Sequence, residues 1–139
     1  MSYTIASPQP PGLNRGETAV TLDTGELIAV LVSIVPQSNN APSVVHAVAR
    51  QIDADGAPKC MPDGSPIAVD FPHTPTADEA NDPAVLKTVQ KDCLMAVLGE
   101  SVTGPLSDPI HANAIANCSI RNRIAAIAIA GPVDVGALL

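Results

Sequence analysis

The run Asp53-Ala54-Asp55-Gly56 has the spacing with which a calcium loop begins: two carboxylates two residues apart, then a glycine for a sharp turn. Such a loop also needs a further ligand pair and a bidentate Glu at its twelfth position. Counted from Asp53, that position is Gly64, so the run reads as a plain turn. His46, His73 and His111 show no H-x-x-x-H or H-E-x-x-H spacing, and no metal is expected. His73, with Pro72 and Pro75 around it, reads as an exposed loop residue. A nucleophile would need an activated Ser or Cys in a recognisable turn. G-x-S-x-G is absent, Gly64-Ser65-Pro66 is a turn, and Gly99-Glu100-Ser101 follows a helix instead of opening one. Cys60 sits beside Lys59 in a loop, but no base partner that would activate it is identifiable. The glycine patterns that cradle phosphates are missing too. The reading is therefore no catalytic residue, no cofactor-binding or metal-binding residue, no cofactor and no small-molecule substrate.

The charge balance narrows the partners. The chain carries 14 acidic and 7 basic residues, a net charge of −7, and only Arg121 and Arg123 lie close together among the cations. Phosphate backbones and anionic membranes both require clustered Lys and Arg, so neither direct nucleic acid nor a membrane surface is expected. The longest apolar run, 27–35, is broken by Ser33 and falls far short of the ~20 residues of a membrane helix. The start, M-S-Y-T-I-A-S-P-Q-P-P-G, has neither the basic region nor the apolar run of a secretory signal. Cys60, Cys93 and Cys118 are odd in number and widely spaced, which predicts three reduced thiols made in a cytosol.

With 139 residues the chain is one domain by size, yet its aromatics are only Tyr3 and Phe71. The core must be aliphatic, each large side chain contributing about 1.5–3 kcal/mol on burial. With 14 prolines and 9 glycines a free monomer is marginal, and association is a natural remedy.

The elements follow from pattern. Residues 1–16, with Pro8, Pro10 and Pro11, read as an extended arm. Strands are predicted at 17–22, 26–35, 43–53 and 65–71, with Asp23-Thr24-Gly25 a hairpin turn between the first two. The second is almost continuously apolar and should be covered on both faces. On the third, His46 and Arg50 share a face with valines, which suggests a partly exposed or interfacial face. Asp82 and Pro83 open the clearest helix and Gly99 closes it. Val85, Leu86, Val89, Cys93, Ala96 and Val97 form its core stripe, while Leu94, Met95 and Leu98 lie outside that stripe. Asp108-Pro109 opens a second helix to about residue 117; beyond it Ile120, Ile124 and Ile127 fit helical spacing while I-A-A-I-A-I-A fits a buried strand, and of these two readings of 119–130 the strand, over 123–130, is preferred. The sum is an α+β domain over 17–130: a mostly antiparallel sheet with one or two helices on a face, an N-terminal arm (1–16) and a C-terminal tail (131–139).

The Pro-rich stretch Ser7 to Gly12, the turn-rich segment Asp53 to Ser65 and the tail Gly131 to Leu139 carry a resemblance. In overall texture the chain resembles the small virion structural proteins of tailed bacteriophages: capsid decoration (cement) proteins and neck or tail components. The resemblance implies a non-enzymatic protein made in the bacterial host cytoplasm and assembled into the virion. Its partners would be other copies of itself and a major capsid or other virion protein. An oligomeric bacterial interaction module is the first alternative. A small enzyme with a site built from residues distant in sequence is the second. The interface candidates are Tyr3, Ile5 and Leu13 on the arm and Leu94, Met95 and Leu98 on the helix.

Overall fold

A computed structural model describes residues 3–22, 25–36, 43–60, 64–118 and 120. Five strands form one antiparallel sheet in chain order: β1 (Tyr3–Ile5), β2 (Thr18–Leu22), β3 (Leu27–Val35), β4 (Val44–Ile52) and β5 (Ala68–His73). Among the described residues three helices follow: α1 (Ala77–Asn81), α2 (Pro83–Leu98) and α3 (Pro109–Cys118), with a 3-10 turn at Pro105–Ser107 between the last two. This is the α+β architecture that the pattern predicts.

Register decides which side chains meet the helices. Val20 lies opposite Ile28, Val30 opposite Ala49, and Ala47 opposite Phe71. Because side chains alternate across a strand, these residues share one face. There they join Val89, Cys93, Ala96 and Val97 of α2 in the main core. α2 lies chiefly over β4, with β3 and β5 to its sides. It forms where the sequence signals it. Asp82 Oδ1 accepts from the Ala84 amide at 3.0 Å, Pro83 takes the first position, and Gly99 closes the helix at φ 81°. α1 falls between the predicted strand 65–71 and the helix that Asp82 opens, where the pattern predicts no element. A capping box makes it: Glu79 N–H donates to Thr76 Oγ1, and Glu79 Oε1 accepts from the Thr76 amide.

The other face is covered by the N-terminal segment. β1 pairs with β2, Tyr3 opposite Leu22 and Ile5 opposite Val20, so the segment read as an extended arm adds an edge strand to its own sheet. Past β1 the ladder continues through a side chain. The Ala6 amide donates to Ala19 O, and Gln9 then accepts from Ala19 N at 2.7 Å and donates to Ala19 O at 3.0 Å. The chain crosses the sheet to the 53–56 turn, where the Gly12 amide donates to Asp55 O at 2.9 Å. Gly12 and Gly56 touch backbone to backbone: a Cβ on Gly56 would sit 2.8 Å from Gly12 Cα. Beneath this crossing Leu13 packs on a small cluster of Ala19, Ala29 and Ile52. β3 is covered on both faces only over its first half, since Ile34 and Val35 are exposed. The strand predicted at 123–130 and the tail 131–139 lie outside the described residues.

Candidate functional site

β1 and β2 extend past α2 on the helix-bearing face. The alternation that buries Val20 and Val30 also places Ile5, Thr18 and Val32 on that side, beyond the helix. The result is an apolar groove of about 280 Å³, lined by Ile5, Gly16, Thr18, Val20, Val30, Val32 and Leu94. Ile5 stands on its rim with 68% of its surface exposed. Leu94, pointing off α2 outside the core stripe, closes the opposite side. The described residues that line the groove include no ionisable side chain; what they offer is apolar contact and strand-edge hydrogen bonds.

The other interface candidates scatter. Tyr3 is in β1, but its side chain lies outside the described set. Leu13 is half-buried against its own sheet, on the opposite face from the groove. Met95 lines a separate polar cleft with Thr88, Lys91, Asp92, Ser101, Thr103 and Gly104. Leu98 is a correction: only 1% exposed, it belongs to the chain's own core with Leu106 and Ile120. The 3-10 turn and α3 pack against α2, so the chain's own later segments cover this part of the helix, the alternative to cover by another subunit.

Polar side chains also meet in ways that sequence spacing hides. His73 is no exposed loop residue. Its side chain is 10% exposed, with Nε2 3.2 Å from Glu79 Oε1. The His111 ring stands edge-on to it at 5.3 Å between centroids. Burial pushes the Glu79 carboxyl up, but the Thr76 amide and His73 outweigh it and leave the group below its ordinary value. The signal in the sequence was Thr76-x-x-Glu79, the capping box that turns Glu79 back towards β5. On the opposite face His46 Nε2 lies 2.9 Å from Asp70 Oδ2. Among the described residues no group of three or more His, Cys, Asp or Glu is placed to hold a metal ion. In the 53–56 turn Asp53 Oδ1 accepts from the amides of Asp55 and Ala57, so that oxygen is spent on the turn. Cys60 is exposed, with its Sγ 4.0 Å from the Pro58 carbonyl oxygen.

A further cleft, about 530 Å³, opens at one end of the sheet between Gly25, Glu26, Leu27, Ile52, Asp53, Ala54 and Lys59. Its acids come from a hairpin and a turn, and Glu26 Oε2 is buried without a hydrogen-bond partner. Gln51, fully buried on the helix-bearing face, also leaves both side-chain amide atoms unpartnered. No described helix is long and apolar enough to cross a membrane. Neither a protein-family model, nor a curated protein, nor a solved structure matches this chain.

Proposed function

We propose that this chain is a non-enzymatic structural protein of a tailed-bacteriophage particle, a capsid decoration protein or a head–tail component, made in the bacterial cytoplasm and built into the virion. The observation that carries the reading is the apolar groove with Ile5 on its rim and Leu94 opposite. A large exposed aliphatic residue beside a sheet edge is costly to leave in water and useful at an assembly contact. The net charge of −7 suits an outward position better than one lining packaged DNA. Its partners are other copies of itself and a major capsid or other virion protein.

The test is co-sedimentation. Particles grown in a host expressing the tagged chain are purified on a density gradient and probed for it. The expected result is a fixed stoichiometry in the particle band, reduced when Ile5 is replaced by Asp. A chain that stays wholly in the soluble fraction of infected cells would overturn the assignment to a virion.

A further inference from the structure

The two edges of the sheet are finished differently. β5 carries Asp70 and Pro72 within the strand, is flanked by α2 and α3, and has its Asp70 carbonyl engaged by Cys118 Sγ at 3.0 Å. Charge, proline and a covering helix are the usual means of keeping an edge from pairing with another chain. β1 reads Tyr3-Thr4-Ile5, with no charge and no proline, and no strand lies beyond it among the described residues.

The ladder fixes which groups that edge presents. The Ala6 amide donates inward to Ala19 O, and the Leu22 amide faces β3 by donating to Glu26 O. Alternation along antiparallel strands then turns Thr4 inward towards Thr21 and turns the backbone N–H and C=O of Tyr3 and Ile5 outward. Two outward residues flanking one inward residue form a self-complementary edge. Set antiparallel against its own copy, Tyr3 faces Ile5 of the second copy, Thr4 faces Thr4, and every outward group finds a partner. The arrangement is isologous, as a two-fold contact requires. It needs no opposite charge, which suits two copies of a chain at −7 meeting through an uncharged strand. It also brings the two grooves side by side on one face and turns the exposed Ile5 into the seam between them.

The geometry points to a homodimer formed by antiparallel pairing of β1 with β1 of a second copy, joining two five-stranded sheets into one. This deepens the assembly reading above by naming the partner at the groove. The register centres on a Thr4–Thr4 pair of the non-hydrogen-bonded type, whose Cα atoms stand about 4.5 Å apart, within disulfide reach.

The test uses the purified full-length chain alone, so it is separate from any virion. In a Cys60→Ser background, Thr4→Cys should give a disulfide-linked dimer under mild oxidation. Light scattering should give twice the chain mass for wild type. Ile5→Pro, which removes one outward N–H, should give the single-chain mass with an unchanged far-ultraviolet circular dichroism spectrum. A wild-type monomer at high concentration, or a dimer that Ile5→Pro leaves intact and Thr4→Cys fails to link, overturns the pairing. Co-sedimentation with particles by a monomeric chain would sink the pairing and leave the virion reading standing; a β1-linked dimer absent from particles would do the reverse.

Discussion

Arg50 holds both carboxylate oxygens of Glu17, Nε to Oε2 and Nη2 to Oε1, each at 2.7 Å. Arg50 lies in β4 and Glu17 just before β2, so the pair fastens the end of the N-terminal crossing to the middle of the sheet. The side chains are 14% and 7% exposed, which makes this a largely desolvated, bidentate pair. The Arg50 hydrogen bonds hold the Glu17 carboxyl below its ordinary value, against the opposing effect of burial. Glu17→Gln or Arg50→Ala should cost about 2 kcal/mol in chemical denaturation at neutral pH. A depressed folded pKa contributes stability above the unfolded carboxylate range and loses it as pH falls through the folded value. The wild-type advantage over Glu17→Gln should therefore shrink on acidification; an advantage that is the same at pH 7 and in acid would show that the pair does not stabilise the fold.

Asp92 has the opposite sign. It is 5% exposed on α2, and burial raises its pKa despite the Leu106 and Gly104 amides that favour the carboxylate. A raised folded pKa contributes stability that is present below the unfolded value and is lost as pH rises through the folded one. Its Oδ2 accepts from Leu106 N at 3.3 Å, and a Cβ on Gly104 would run into the same carboxylate. Asp92→Ala should cost about 1–3 kcal/mol by orphaning a buried amide. Gly104→Ala should destabilise by displacing Asp92. Equal melting temperatures for wild type and Gly104→Ala would mean that the loop gives way without cost.

How much of this was legible follows from range. α2 was readable because its signals are local: Asp82, Pro83 and Gly99 act within one turn of themselves. The sheet was readable because β4 keeps a period of two over nine residues and β3 is an almost unbroken apolar run of the same length. β1 was not, since three residues among prolines show no period and owe their strand to Leu22, Thr21 and Val20. Leu98 was misplaced because a helical wheel knows nothing of Leu106, which arrives later and covers it. Ile5 and Leu94 could each be named as interface candidates, but their meeting across one groove depends on register. His73 with His111, like Glu17 with Arg50, joins residues more than thirty positions apart, as the 33 between Glu17 and Arg50 show.

The cysteines should separate by burial. Cys93 is fully buried and burial pushes its thiol up to about 12. Burial also raises Cys118, whose Sγ lies against Asp70 O. Cys60 is exposed. The thiolate is the reactive form, so the native protein at pH 8 should take one equivalent of alkylating agent quickly, at Cys60. Unfolded without reductant, it should take three, the number of cysteines in the chain. A denatured count of one would mean a disulfide and would overturn the reduced reading.

The sharpest contrast lies within one turn of α2. Leu94 and Leu98 are four residues apart and both fall outside the helix's core stripe, yet their surroundings differ. Leu98 is 1% exposed and packs in the cluster with Leu106 and Ile120. Truncating such a residue removes its transfer free energy and leaves a cavity, so Leu98→Ala should cost about 2–5 kcal/mol. Leu94 is half-buried and forms one side of the groove, where the truncated side chain leaves space open to water instead of a sealed void. Leu94→Ala should cost less than half as much in stability. Its effect should fall on association, read as mass in solution and as occupancy on purified particles. Leu98→Ala, refolded at low temperature, should associate as wild type does. If Leu94→Ala and Leu98→Ala lost stability equally and Leu94→Ala associated normally, the groove would be a feature of the monomer's packing and not the surface through which the chain assembles.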